Sequence, residues 1–351
     1  MTETAAIEAV PVLRTRFRTN PAEHGESVKL KDAVRAMHVS DGFAKLAGAR
    51  LERLTRSASE GQPGYAVVIT GLSGSGKSHI VDRYCAQEMF QPFEADPEEG
   101  ITTPLVYVQA PSPCTLITLG REIYSKLTGQ TLRSGLREHD IWERVRAQLR
   151  GQAVSVLVID EMHHVLIGRS QEEHRKVAET LKNVLQSKDW PVHMVLAGMP
   201  ALKTFCERHA QLRRRCRFTT IAPVKNDQTG RKQIEKYLLL IQGKLPSPLK
   251  ADFLKGDLPE RFRLASSGLL GRVAMFVKLA ALLAVDRRQG EVTAEHLASE
   301  YEDLFECGDR RNPFKVADLR GFKPSQMKED DSKLTLLRGT KTVAEDQDEH
   351  A

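Results

Sequence analysis

Gly71-Leu72-Ser73-Gly74-Ser75-Gly76-Lys77-Ser78 spells the pattern G-x-x-x-x-G-K-[ST]. It stands between an apolar, β-branched run at 65–70, which reads as a buried strand, and a stretch of helical character at 79–87. Strand, loop and helix in that order form the context in which this pattern holds phosphate. The glycines let backbone N–H groups turn inward around an anion, and the helix N-terminus adds its dipole. Lys77 is expected to reach the β and γ phosphates of ATP and Ser78 to ligate Mg2+. Gly71, Ser73, Gly74, Ser75, Gly76 and His79 complete the expected nucleotide cradle. The bland alternative is a glycine-rich turn that holds nothing.

Downstream, Val154-Ser155-Val156-Leu157-Val158-Ile159 closes on Asp160-Glu161, an apolar strand ending in two acids. Such acids are costly to leave unpaired, so a cation or a water network belongs beside them. With the phosphate loop present, Asp160 is expected to hold Mg2+, through water, and Glu161 to orient and deprotonate an attacking water. His163 and His164 follow at once, but adjacent histidines are expected to diverge, and no third ligand stands at suitable spacing, so they read as loop residues. The strand at 192–197 ends at Gly198-Met199-Pro200, where Met199 presents a thioether at a place suited to a polar contact with phosphate or water. Either a neighbour substitutes or hydrolysis is slow.

Arg213-Arg214-Arg215-Cys216-Arg217 packs four guanidiniums into five positions. That density fits an arginine finger offered to a neighbouring subunit, or a solvated or DNA-facing basic run. Further on, Ser267-Gly268-Leu269-Leu270-Gly271-Arg272 opens an apolar helix with Arg272 in its first turn. A cation there opposes the helix dipole unless an anion compensates, and ATP phosphate is the natural anion. An exposed arginine without a role is the alternative.

The rest of the chain supplies the frame. Strands at 65–70, 105–109, 155–159 and 192–197 alternate with helices at 116–127, 141–149 and 173–186. That alternation indicates βαβ units and a parallel sheet flanked by helices. A helix at 40–56, capped by Ser40 or Asp41, leads into it. Beyond Pro223 the strand signal fades, and 228–240, 247–254, 258–266, 271–287 and 293–305 read as helices. The expected organisation is an irregular basic arm over 1–39, an α/β nucleotide-binding domain over 40–222, a small α-helical lid over 223–306 and a flexible tail over 307–351. The 351 residues, 40% hydrophobic and 28% charged, are ordinary for a globular protein. No apolar run approaches the roughly 18 to 20 residues that cross a bilayer, and no secretory signal opens the chain, so a cytoplasmic protein without a membrane partner is expected. The five cysteines form no close pair, which argues against a disulfide framework or a zinc site. A net charge of +6 permits a polyanionic partner.

With these landmarks in order, the chain resembles the TniB/TnsC family of AAA+ transposition ATPases, relatives of MuB and more distantly of origin-recognition initiators. The matching pieces are the segment 71–78, Gln109-Ala-Pro-Ser-Pro-Cys114, Leu157-Val-Ile-Asp-Glu-Met-His-His164, Leu196-Ala-Gly-Met-Pro200, Gln211-Leu-Arg-Arg-Arg-Cys216 and Gly268-Leu-Leu-Gly-Arg-Val273. The resemblance implies an AAA+ P-loop fold and an ATPase that forms ring or helical homo-oligomers on double-stranded DNA. It further implies partners: a DDE transposase of the TniA/TnsB kind and a TniQ-like target-selection protein. By position it makes Arg214 or Arg215 the finger and Arg272 the lid sensor, and it places DNA contacts after the second strand, at Thr115, Lys126, Arg133 and Arg137. A related signalling switch of the STAND kind, without DNA binding, is the competing expectation.

Overall fold

The computed structural model describes residues 25–96, 100–187, 189–246, 248–249 and 256–323. β1 (Ala66–Gly71) is buried along its whole length. Such a strand belongs in the interior of a parallel sheet covered on both faces. It pairs in parallel with β6 (His193–Gly198) on one side and β7 (Cys216–Ile221) on the other. Through β5 (Val156–Asp160) and β4 (Leu105–Gln109) the five-stranded order becomes β4-β5-β6-β1-β7.

The two-residue period of a strand sorts its side chains into two cores. Val67 and Ile69 of β1 pack with Leu51 and Leu54 of α2 (Gly42–Ser59) and with Val81 and Tyr84 of α3 (Lys77–Cys85). Ala66 and Val68 join the opposite layer, with Ile123 of α4 (Leu116–Thr128), Trp142 of α5 (Glu138–Gly151), Leu181 of α6 (Gln171–Leu185) and Phe205 of α7 (Ala201–Arg208). Each fully buried aliphatic side chain contributes about 1.5–3 kcal/mol, so the sheet is held from both sides. Asp41 caps α2 by accepting from Ala44 N at 2.6 Å.

A third core is helical. α9 (Gln228–Gln242), α10 (Leu258–Ala265), α11 (Leu270–Asp286) and α12 (Ala294–Phe305) bury Ile234, Phe262, Phe276 and Tyr301 together. No single helix among the described residues is long and apolar enough to cross a membrane; α10 and α11 would pass only as a pair bent by 108°.

The structure departs from the expected organisation in four places. The arm expected over 1–39 contains a helix, α1 (Gly25–Ala36), whose Val34, with Met37 and Val39 beyond it, enters the helical core. Lys278 Nζ donates to Arg35 O at 3.1 Å and Lys244 Nζ to His38 O at 2.8 Å, so cations meet the carbonyls at the helix end. Residues 1–24 lie outside the described residues. β7 and the hairpin of β2 (Phe93–Asp96) and β3 (Gly100–Thr102) were not expected either. β7 is an edge strand, where exposed Arg217 is tolerated and hides the strand pattern. The helix expected at 247–254 lies mostly outside the described residues, and Leu249 forms an isolated bridge with Val292. The tail expected from 307 begins packed: Cys307, Asn312 and Phe314 are buried, because Asn312 Nδ2 donates to Ala298 O and Phe314 lies edge-on to Phe262. Residues 324–351 lie outside the described residues.

Candidate functional site

The loop leaving β1 turns on Gly74 and Gly76, at φ +77° and +96°, conformations that only glycine adopts without strain. α3 begins at Lys77, so Lys77 and Ser78 stand in its first turn. Lys77 is buried, and its Nζ donates to Gly71 O at 2.9 Å and Leu72 O at 3.0 Å. Ser75 Oγ is buried with no hydrogen-bond partner among the described residues. Beside the loop lies a cavity of about 500 Å³, lined by Ser73, Gly74, Gly76, Lys77, Ser78 and His79 from one side. Gln109, Glu161, His163, His164 and Met199 line it from the other. The charge of Lys77 and the N-terminus of α3 suit this cavity to an anion.

Asp160 ends β5 with 2% of its surface exposed, and its Oδ1 accepts from Glu161 N at 2.7 Å. One turn into α3, burial and then the Asp160 charge push the Asp82 carboxyl above its usual range. Two acids that repel one another, with a serine hydroxyl at the start of the same helix, are hard oxygen donors suited to Mg2+. The residues present therefore fit a magnesium ion held by Ser78 and Asp160.

Glu161 sits in the left-handed region at φ +50°. His163 Nδ1 lies 3.1 Å from Glu161 Oε2, within ion-pair distance though without hydrogen-bond alignment. This contact leads the causes that hold the Glu161 carboxyl below its usual range, with Lys77 and His164 adding to it and burial opposing. The expectation that the two histidines diverge is corrected here. The turn Met162–Val165 is a 3-10 helix, which brings their ring centroids to 4.4 Å. Glu161, His163 and His164 consequently bring potential ligand atoms within 4.8 Å of one another. His164 Nδ1 is 3.1 Å from Ala110 O, which ties the turn to the end of β4.

The helical body closes the site from above. A Cβ on Gly271 would meet Gly74 O at 2.4 Å and Gly76 N at 2.7 Å, so the first turn of α11 touches the phosphate loop backbone to backbone. Arg272 is 5% exposed and its Nη2 donates to Ser73 O at 3.1 Å. The reading of an idle exposed arginine is thereby removed. His79 faces the strap that joins α1 to α2, with its ring 4.5 Å from that of His38.

Other expected residues lie elsewhere. Arg214 and Arg215 follow α8 (Ala210–Arg213) and directly precede β7, whose register pairs Cys216 with Ala66 and Ile221 with Gly71. They stand at the amino end of the sheet, roughly 20 Å from the phosphate loop at about 3.3 Å per strand residue. Neither can serve the pocket of its own chain. Thr115 caps α4 in a capping box with Thr118. Lys126, exposed in the last turn of α4, lines a second cavity of about 420 Å³ that shares Gln109 and His164 with the first. Arg133 and Arg137 are exposed on the connection to α5, where Arg121 Nη2 donates to Arg133 O at 2.8 Å.

A family model described as bacterial TniB protein matches residues 38–226. No curated protein matches the chain. Among solved structures, the chain is similar to the Aeropyrum pernix ORC1 protein in complex with DNA, at TM-score 0.55 and 17% identity over 80% of this chain and 70% of that one. It is also similar to the ORC2 protein of the same organism in its ADPNP-ADP complexes, at TM-score 0.53 and 16% identity over 80% and 75%. Cdc6p from Pyrobaculum aerophilum gives TM-score 0.53 at 14% identity over 88% and 89%. The parallel sheet flanked by helices and the helical body beyond it are the AAA+ P-loop fold that these neighbours share.

Proposed function

This chain belongs to the TniB family, and on that premise we propose that it is an ATP-dependent, DNA-binding regulator of transposition that works as an oligomer. The observation that carries the reading is the separation of Arg214 and Arg215 from the phosphate loop by the length of β7. A pocket so placed is completed for hydrolysis only when a second copy presents its amino-end arginines, so ATP binding favours assembly.

Within one pocket, Lys77 exchanges the two loop carbonyls for β and γ phosphate oxygens, and Arg272 approaches the same charge from the lid. Ser78 and Asp160 would hold a magnesium ion, which would supply positive charge beside the phosphates. Glu161, a carboxylate at neutral pH, takes a proton from the water whose oxygen attacks the γ phosphorus, while the bond to the β-bridging oxygen breaks and ADP leaves. Met199 gives that water no hydrogen bond, which fits slow turnover. Ring or helical assembly lines up Thr115, Lys126, Arg133 and Arg137 from successive copies along double-stranded DNA. The ATP-bound array then recruits a DDE transposase and a TniQ-like targeting protein.

Duplex DNA binding measured with ATP, ADP or no nucleotide across a salt series tests the reading. Binding should require ATP and weaken steeply with salt, with a slope near 0.9 per phosphate contact. Binding that ignores nucleotide overturns it, and ATP-driven assembly without DNA binding favours a signalling switch. A Glu161→Gln protein should assemble on DNA yet lose hydrolysis by about 100-fold or more.

A further inference from the structure

We propose that His163 is the positioning residue for the general base Glu161, supplying at the end of β6 the polar group that Met199 does not. The inference rests on the hydrolytic reading above. Three observations carry it. His163 is 8% exposed, yet it lines the phosphate cavity and brings Nδ1 to 3.1 Å from Glu161 Oε2. A buried imidazole packed beside a carboxylate at ion-pair distance limits where that carboxylate can swing.

Next, His163 occupies the place that a side chain at the carboxyl end of β6 would fill. A Cβ built on Gly198 would lie 3.2 Å from His163 N and 3.3 Å from its Nδ1. The glycine clears room for the ring, while the next residue, Met199, turns an apolar thioether to the same cavity. Third, the ring is fixed from behind. The 3-10 turn sets it beside His164, with the ring centroids 4.4 Å apart and the planes tilted by 48°, and His164 Nδ1 lies 3.1 Å from Ala110 O. Glu161 in its left-handed backbone conformation, His163 and the end of β4 thus form one connected support. His163 acts on the reaction only through the carboxylate it holds.

His163→Phe keeps the ring volume and removes both nitrogens. We expect kcat for ATP hydrolysis to fall on the order of 10- to 100-fold. KM and the dissociation constant for an ATP analogue should stay within about twofold, since the phosphates are gripped by the loop. His163→Gln, whose amide N–H can reach the carboxylate, should recover most of the loss. Adding Met199→Asn to His163→Phe should recover part of it, because the amide enters the same space from the neighbouring position. Unchanged kcat in His163→Phe overturns the inference, as does kcat and analogue affinity falling together in both His163→Phe and His163→Gln. A double variant no faster than His163→Phe alone removes the claim about Met199. Wild-type protein that binds ATP and never hydrolyses it removes the hydrolytic reading itself and this inference with it, an outcome distinct from an active wild type matched by an active variant.

Discussion

At the carboxyl ends of β1 and β5 the polar groups are covered: Lys77, Asp160 and Arg272 are each at most 5% exposed, and the first turn of α11 rests on the loop backbone. At the amino ends of β1 and β7 the chain does the opposite. Arg213, Arg214 and Arg217 are exposed, Arg213 lies over the Phe218 ring at 5.2 Å and Arg217 over the Tyr65 ring at 5.8 Å. The first end is organised to close around a small anion, and the second to present charge outward. Because the two surfaces differ, the contact proposed between them would be head-to-tail and would lead to rings or filaments rather than to a closed two-fold dimer.

Mixing variants puts the largest strain on this comparison. Lys77→Ala should lose nucleotide binding, and Arg214→Ala with Arg215→Ala should keep it, yet each protein alone should hydrolyse ATP about 1,000-fold slower than wild type or worse. Mixed one to one, roughly a quarter of head-to-tail contacts join an intact loop to intact arginines, so activity should return to about that fraction. No recovery in the mixture would mean that the two ends never meet.

A smaller effect tests the covered end by itself. In Gly271→Ala the added methyl meets backbone rather than a yielding side chain, so α11 must lift from the loop. Overpacking of this kind costs about 1–3 kcal/mol, which converts to roughly 5- to 150-fold weaker ATP binding if the cost falls on closure. Wild-type affinity measured for this variant would mean that the lid does not bear on the bound nucleotide.

The same contrast explains how much could be read from sequence. Residues 71–78 and the pair Asp160-Glu161 were legible because their chemistry is local: a few consecutive residues define loop, helix start and charged strand end. Arg272 was legible for a similar reason, since a cation in a first helical turn asks for an anion. β7 was not, because its Arg217 faces outward on an edge and breaks the apolar pattern. α1 was not, because its partners are distant along the chain: Val34 packs into the helical core and Lys278 meets the Arg35 carbonyl. The role of His163 depends on a 3-10 turn, in which neighbouring side chains need not diverge as they do on a strand.

The amino end also hides an acid-sensitive group, and its effect should be the smallest. His193 opens β6 with 1% of its surface exposed, neither ring nitrogen has a hydrogen-bond partner among the described residues, and the Tyr65 ring meets it edge-on at 5.2 Å. Burial lowers its pKa from 6.5 to about 4. The folded value lies below the unfolded one, so unfolding takes up a proton between those values. The stability His193 allows is therefore complete above pH 6.5 and declines as pH falls towards 4. At pH 5 the penalty is on the order of 1–2 kcal/mol, or a few degrees in melting temperature. His38, lowered to about 4 by burial first and then by His79, adds a similar slope in the same window. His193→Phe should flatten part of the acid limb between pH 7 and 5 and leave the share due to His38. A melting profile with the wild-type slope in that variant would mean that the ring finds a partner for its proton, and that the amino end is wetter than its burial indicates.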